Sequence, residues 1–89
     1  MRACTVIADA DAVAGFRLAG VEALAADGPE GAERLLRTRI HDGDVAIVLV
    51  SQSFLDGFTP AMRHRLERPG LPLVIPIPVC PGGWREGSR

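Results

Sequence analysis

Residues 4–20 read Cys-Thr-Val-Ile-Ala-Asp-Ala-Asp-Ala-Val-Ala-Gly-Phe-Arg-Leu-Ala-Gly, and this run predicts a buried strand, an acidic turn and a short helix. The strand covers residues 4–8, which are apolar on both faces, as in a parallel sheet that has helices on both sides. Asp11 is the expected N-cap of a helix over residues 12–19, because its carboxylate can accept the free N–H groups of the first turn. Gly20 stands where a residue in the left-handed conformation ends a helix.

The helix over 12–19 is expected to place Val13 and Phe16 against the sheet and to turn Arg17 toward solvent. Gly15, in its interior, costs about 1 kcal/mol relative to alanine. That cost indicates that the sheet or a partner passes close to the helix there. Arginine is enriched in protein interfaces, so Arg17 is a candidate partner-binding residue.

Strands and helices alternate along the first half of the chain. A weak strand is predicted over 21–26. A helix ending near residue 41 follows, because Asp27-Gly28-Pro29-Glu30 is typical of a helix start. Its apolar stripe consists of Ala32, Leu35, Leu36 and Ile40. Two i,i+4 ion pairs are also expected along this helix, Glu30–Arg34 and Glu33–Arg37.

The strongly apolar run over 45–50 predicts the central strand of the sheet. A less regular helical region follows it, interrupted near Gly57. Thr59 precedes a proline there and is the expected N-cap of a second helical piece.

Residues 73–78 form the last predicted strand, in which Pro76 and Pro78 lie two apart and leave the same side without N–H groups. This is typical of an edge strand whose prolines face outward. The order β-α-β-α-β-α-β, with about three helices, then gives right-handed crossovers and a parallel sheet. We expect a flavodoxin-like (receiver-like) doubly wound α/β domain over residues 1–78, with four strands in the order 2-1-3-4, and a flexible tail over 79–89.

Composition indicates a small single domain. The chain has 89 residues, 47% of them apolar, with 10 basic and 11 acidic side chains and a net charge of −1. The charges are interspersed, which argues against nucleic acid as a partner. All the Lys+Arg positions are arginine, so chemistry that needs lysine is excluded. Two cysteines without a disulfide pattern, no signal-peptide layout and no apolar run of about 20 residues predict a cytoplasmic protein that reaches a membrane only through partners.

A ligand of such a sheet would lie over the carboxyl ends of the first and third strands. The polar groups expected there are Asp9, Asp11, Ser51, Gln52 and Ser53. Two acids after the first strand are what a phosphorylation receiver uses to hold Mg²⁺. The third strand, however, ends in serine where a receiver has aspartate, and the chain contains no lysine. Helix capping and solvation are the alternative roles for both acids.

No other set of residues predicts catalysis, a cofactor or a metal site. His41 and His64 lie on helix faces expected to be exposed, and Cys80 has no identifiable base beside it.

Three aromatic residues are considered as partner contacts. Phe54 and Phe58, at i,i+4, are expected in the core, with contact to a partner as the alternative. Trp84 is either a contact anchor or part of a disordered tail.

Three runs carry a resemblance to a known family. Residues 6–21 read Val-Ile-Ala-Asp-Ala-Asp-Ala-Val-Ala-Gly-Phe-Arg-Leu-Ala-Gly-Val, and their Gly-Phe-Arg-Leu-Ala-Gly core is the most specific part. Residues 44–50 and 71–78 follow at the expected spacing. Together they resemble the F subunit of the V-type/A-type rotary ATPases over residues 4–78.

The resemblance implies a non-catalytic subunit of the central rotor stalk, without a cofactor. Such a subunit binds the coiled-coil shaft subunit and turns with it, linking ATP hydrolysis or synthesis to movement of H⁺ or Na⁺ through the membrane ring. Members of the family usually continue into a C-terminal helix. The tail over 79–89 reads Val-Cys-Pro-Gly-Gly-Trp-Arg-Glu-Gly-Ser-Arg and is expected to lack that helix, which predicts weaker shaft binding.

Two other interpretations remain. A degenerate receiver-like signalling or protein-binding module would bind Mg²⁺ and a phosphoryl analogue at Asp9 and Asp11. A small α/β enzyme or ligand-binding protein would instead show an apolar pocket with convergent polar groups above the first and third strands.

Overall fold

The structure is a computed structural model that describes residues 3–41, 45–68 and 72–78. The predicted tail over 79–89 therefore lies outside the described residues. The strands are β1 (Ala3–Ala8), β2 (Glu22–Ala25), β3 (Val45–Ser51) and β4 (Leu73–Ile77). The helices are α1 (Ala10–Leu18), α2 (Pro29–Ile40), α3 (Gln52–Asp56) and α4 (Pro60–Leu66). The strands form one parallel sheet in the order β2-β1-β3-β4, which confirms the predicted doubly wound α/β topology.

Helix α1 begins two residues earlier than the sequence predicted, and the prediction of Asp11 as its N-cap is wrong. Asp9 is the N-cap, and its Oδ1 accepts a hydrogen bond of 2.9 Å from the backbone N–H of Ala12. Since β1 ends at Ala8 and Asp9 is still extended, with φ −74° and ψ 171°, the chain passes from strand to helix without a loop. Asp11 lies in the first turn, exposed, where its charge favours the helix dipole.

Gly20 ends α1 as predicted. Its φ of 86° lies in the left-handed region, which side-chain-bearing residues rarely adopt. The N–H of Gly20 donates to the carbonyl of Arg17 (3.0 Å), and the N–H of Val21 donates to the carbonyl of Phe16 (3.2 Å). These bonds satisfy carbonyls at the end of α1 and turn the chain directly into β2.

The two faces of the sheet are covered unequally. One face packs against α2, α3 and α4 in a core that includes Ile7, Leu36, Val48 and Phe54. The other face has a smaller core, in which Val13 of α1 lies against Val6, Ala8 and Ala23. Within the part of the chain that the structure describes, α1 is the helix on this second face, and it packs over β1 and β2.

Helix α2 buries the predicted stripe together with a carboxylate. Ala32, Leu36 and Ile40 are buried and Leu35 is partly buried, as expected. Glu33 is also buried, at 5% exposure. Its position explains this, because residue 33 lies one turn before Leu36 and faces the connection between α3 and α4.

One of the two ion pairs expected along α2 is present. Glu33 and Arg37 are paired at 3.2 Å, as predicted. Glu30 and Arg34 form no ion pair among the described residues.

The helical region after β3 is interrupted as predicted, so four helices are observed where about three were expected. Thr59 is the N-cap of α4, and its Oγ1 accepts a hydrogen bond of 3.2 Å from the N–H of Met62. Gly57, in the break, lies so close to α2 that a Cβ there would come within 2.5 Å of Cγ of Pro29. The break therefore brings the α3–α4 connection onto α2.

Strand β4 is an edge strand, as the prolines predicted. It pairs with β3 in a register that sets Leu73 opposite Ile47 and Pro76 opposite Val50. Pro78 follows the strand by one residue and is exposed.

Candidate interaction surface

Most of the polar side chains at the carboxyl ends of β1 and β3 form hydrogen bonds to nearby residues. Asp9 caps α1. Ser51 Oγ lies 3.1 Å from Ser53 Oγ, and Gln52 Nε2 donates to Asp56 Oδ1 at 2.8 Å, one turn along α3. Across residues 3–41, 45–68 and 72–78, no three acidic, histidine or cysteine side chains come together in a way that could hold a metal ion. The structure thus gives Asp9, Ser51, Gln52 and Ser53 roles in capping and in local hydrogen bonds, while Asp11 is exposed.

A shallow depression lies at the start of α2 instead. None of the predicted switch-point residues contributes to it. Three of its lining side chains are charged and the others are glycine or proline, so it lacks the apolar walls that are typical of a small-molecule pocket. The depression is lined by Asp27, Gly28, Pro29, Glu30, Gly31 and Arg34.

The Gly-Phe-Arg-Leu-Ala-Gly motif has its clearest structural role at Arg17. Arg17 is exposed, as predicted, and its side chain also makes a specific contact. Its Nε and Nη2 both donate to the backbone carbonyl oxygen of Ala23, at 3.2 and 3.0 Å. The side chain therefore ties the last turn of α1 to strand β2.

The carbonyl of Ala23 belongs to the free edge of the sheet. The N–H of Ala26 donates to the carbonyl of Ala8 in β1, at 3.0 Å. Because backbone groups of successive residues in a strand point to opposite sides, Ala23, three positions earlier, directs its carbonyl away from β1. Arg17 thus covers an acceptor that an added strand would otherwise use.

Two residues of the same motif have no such role within the described chain. Leu18 is 91% exposed. A Cβ placed on Gly15 would meet no atom within 4 Å, so the close neighbour predicted at this glycine is not found among the described residues. Neither position contributes to the packing of the described residues.

The other candidate partner-binding residues lie in different environments. Phe54 and Phe58 are buried at 8% and 4% exposure, which confirms their packing in the core. Trp84 lies outside the described residues. The structure therefore brings Phe54 and Phe58 together, while Arg17 lies on the opposite face of the sheet. Direct partner contact by any of these residues stays a prediction.

Sequence reasoning also missed Glu33 as a buried anchor, although a signal was present. Residue 33 lies three positions before Leu36 and seven before Ile40, so helical periodicity places it on the apolar stripe. Its Oε2 accepts a hydrogen bond of 2.6 Å from the backbone N–H of Thr59. An acid within an apolar stripe predicts a specific partner of this kind.

A sequence model of the family described as ATP synthase (F/14-kDa) subunit matches residues 4–89. The chain belongs to this family. The F subunit of the V-type ATP synthase of Thermus thermophilus is 38% identical over 72 residues, which is 81% of this chain and 69% of the relative. The F subunit of the A-type ATP synthase of Methanothermobacter thermautotrophicus is 35% identical over 74 residues, which is 82% of this chain and 69% of that relative. The predicted resemblance to these F subunits is confirmed.

The fold agrees with a solved member of the family. The crystal structure of the V-type ATP synthase F subunit of Archaeoglobus fulgidus superimposes with a TM-score of 0.76, over 85% of this chain and 96% of that one. At 22% identity, this similarity concerns the fold alone. Among the described residues, no helix has both the length and the apolar character needed to cross a bilayer.

Proposed function

We propose that this member of the family is a non-catalytic part of the central stalk of a V/A-type rotary ATPase. In this role it binds the coiled-coil shaft subunit and turns with it, helping to couple ATP hydrolysis or synthesis to translocation of H⁺ or Na⁺. The family match over residues 4–89 carries the proposal. The role places the protein on the cytoplasmic side, peripheral to the membrane and held there by the complex.

The arrangement of side chains supports a binding role. At the edge where a doubly wound sheet binds ligands, the predicted polar residues other than Asp11 are engaged in capping and local hydrogen bonds. A shaft coupling needs a stiff block with a complementary face. Strand β1 lies between β2 and β3, and the α2 side of the sheet is closed by a continuous apolar core, which supports such a role.

We also propose that residues 1–78 form the docking domain and that residues 79–89 do not supply the family's usual C-terminal helix. Arg17, Phe54, Phe58 and Trp84 remain the proposed contributors to binding, the two buried phenylalanines by holding α3 in place.

Co-purification with the shaft subunit encoded in the same genome tests the proposal. The tagged shaft subunit is mixed with this chain at micromolar concentration and the complex is isolated by size-exclusion chromatography. We expect a stable complex. If the two proteins elute separately at all ratios, the stalk role is wrong.

The receiver-like alternative is tested separately. Asp11 is exposed beside the carboxyl end of β1, as a receiver acid would be. NMR spectra recorded with and without Mg²⁺ and beryllofluoride would reveal binding at Asp9 and Asp11. We expect no change in the amide signals of the turn between β1 and α1, since Asp9 is committed to capping and β3 ends in serine.

A further inference from the structure

The two edges of the sheet are protected in different ways. At one edge, β4 carries Pro76, which has no N–H to offer to an added strand. At the other edge, β2 reads Glu-Ala-Leu-Ala and contains neither proline nor lysine. Its one charged residue, Glu22, bonds with its carboxylate to Thr5 and Arg39 on the α2 side of the sheet. Within the described residues, the side chain that covers the edge of β2 is therefore Arg17.

Four backbone groups of β2 point away from β1. Because the N–H of Ala26 donates to β1, the alternation along the strand turns the N–H and carbonyl groups of Ala23 and Ala25 outward. Arg17 covers one of these groups, the carbonyl of Ala23. The other three have no neighbouring strand on that side of the described sheet, where β2 is the last strand.

The outward groups of β2 match those of a second copy of the same strand. When two copies of β2 run antiparallel with their Leu24 residues opposite each other, Ala23 of each copy faces Ala25 of the other. Each of these two pairs exchanges two N–H···O bonds, so the edge offers four bonds in all. The two leucines form an apolar cross-strand pair on the α2 side of the sheet. Glu22 lies opposite Ala26 of the other copy, so no like charges face each other directly.

The flank of α1 beside this edge also suits a second copy. Because a helix turns about 100° per residue, Arg17, Ala14 and Leu18 lie about 40°, 100° and 140° from the buried Val13, all on one side of α1. This is the side of the β2 edge, since Arg17 reaches Ala23. Leu18 is 91% exposed, and Ala14 is also exposed. With strands about 4.8 Å apart, the α1 helices of two paired copies would lie about 10 Å apart, which is a normal distance for packed helices.

We propose that the bond from Arg17 to Ala23 keeps the chain monomeric, and that the β2 edge pairs with a second copy when this bond is removed. Since Arg17 of each copy occupies the carbonyl of Ala23, it blocks two of the four bonds of the antiparallel pair. A net charge of −1 gives little general repulsion between copies, so protection against pairing depends on the edge itself. The inference goes beyond the stalk role and does not depend on it.

Removing the guanidinium tests the inference on the full chain alone. Sedimentation equilibrium measures the monomer–dimer Kd of each variant. We expect the wild-type chain to stay monomeric at micromolar concentration. Arg17→Ala should lower the dimer Kd at least about tenfold, since two hydrogen bonds per dimer become available. Arg17→Lys, which keeps a charged donor, should fall between the two. Arg68→Ala removes the same charge from an exposed position after α4 and should match the wild type.

Two further substitutions separate edge pairing from other causes of association. Asp9→Ala removes the cap at the other end of α1 and should stay monomeric, which excludes association through a loosened helix. Ala25→Pro removes an outward N–H that the pairing of β2 with β1 does not use, so it should fold with a cooperative thermal transition. Added to Arg17→Ala, it should restore the monomer.

Amide exchange provides a readout that needs no second substitution. In Arg17→Ala, the N–H of Ala25 should exchange more slowly with solvent as the protein concentration rises, because it enters the new strand pair. In the wild-type chain its exchange rate should not depend on concentration. Should Arg17→Ala fail to fold, Arg17→Met, which retains the aliphatic stem and loses the donors, takes its place with the same expected dimer.

Three outcomes would overturn the inference. The first is a folded Arg17→Ala chain that remains monomeric. The second is a wild-type dimer whose Kd is the same in Arg17→Ala. The third is an Arg17→Ala dimer that persists with Ala25→Pro and dissociates with Leu73→Asp, because association would then occur at the other end of the sheet. None of these measurements uses the shaft subunit, so the stalk role is decided separately by co-purification.

Discussion

Glu33 and Thr59 are 26 residues apart in sequence, yet the buried carboxylate of Glu33 accepts a hydrogen bond of 2.6 Å from the backbone N–H of Thr59. The other oxygen, Oε1, accepts from Arg37 at 3.2 Å. Thr59 in turn caps α4. One acid thus joins the middle of α2 to the first residue before α4, and it does so at the point where the helical region after β3 is interrupted.

Removing this carboxylate is expected to destabilise the protein. Glu33→Ala leaves the N–H of Thr59 without its acceptor, which corresponds to a loss of about 2–3 kcal/mol in the free energy of unfolding. Glu30→Ala, one turn earlier on the exposed side, should change it by about 0.5 kcal/mol or less. Urea denaturation followed by circular dichroism measures both. Equal effects of the two substitutions would contradict the anchoring role of Glu33.

Arg17 is expected to stabilise the edge formed by β2. Arg17→Ala removes both donors to the carbonyl of Ala23, and we expect a loss of about 1 kcal/mol, limited by the exposure of the side chain. Arg17→Lys should recover only part of this loss, because lysine lacks the forked geometry. Arg68→Ala, also exposed, is the control and should be nearly neutral. The same urea titration measures the free energy of unfolding of each variant. If Arg17→Ala left it unchanged, water would replace the guanidinium without cost, and the stabilising role of Arg17 would be wrong.

Replacing each of three glycines by alanine is expected to change the free energy of unfolding differently. Gly15→Ala should raise the free energy of unfolding by about 0.5–1 kcal/mol, since the helix interior there has open space. Gly20→Ala should lower it by about 1 kcal/mol, because its φ of 86° is unfavourable for alanine. Gly57→Ala should lower it by about 1–3 kcal/mol through the clash with Pro29. Thermal unfolding ranks the three, and a destabilising Gly15→Ala would indicate an undetected neighbour beside α1.

The N-cap of α1 can be identified by substitution. Asp9→Ala should cost about 1 kcal/mol, because the N–H of Ala12 loses its acceptor, and Asp9→Asn should recover most of it. Asp11→Ala should cost only about 0.3–0.5 kcal/mol, from the loss of a favourable charge near the helix terminus. Chemical denaturation of the three variants decides between the two acids. A larger effect at Asp11 would restore the cap that the sequence predicted.

The architecture could be predicted from the sequence because local signals agreed with one another. Each element had its own signal, such as the apolar run at 45–50, the glycine at the end of α1 and the edge prolines. The alternation of strands and helices then predicted the strand order 2-1-3-4, which the structure has. The cap of α1 was misassigned because Asp9 and Asp11 are equally good cap residues. The choice between them depends on where β1 ends, which is set by pairing with β2 and β3.

The contacts of Arg17 and Glu33 could not be predicted in the same way. Both bonds go to backbone atoms, Ala23 oxygen and Thr59 nitrogen, and any residue type presents such atoms. Sequence patterns describe side chains, so they carry little information about backbone partners from another element. The cost of Gly15 predicted a close neighbour, but none is found among the described residues.

The position of β1 in the middle of the sheet has a consequence for how the chain folds as it is synthesised. One neighbour of β1 is β2, which follows after a single short helix, and the other is β3, which begins at Val45. The first 41 residues can therefore form only a two-stranded intermediate with one side of β1 unpaired, and such small sheets are rarely stable alone. The complete core is expected to form only after β3 has left the ribosome, because its arrival closes the centre of the sheet.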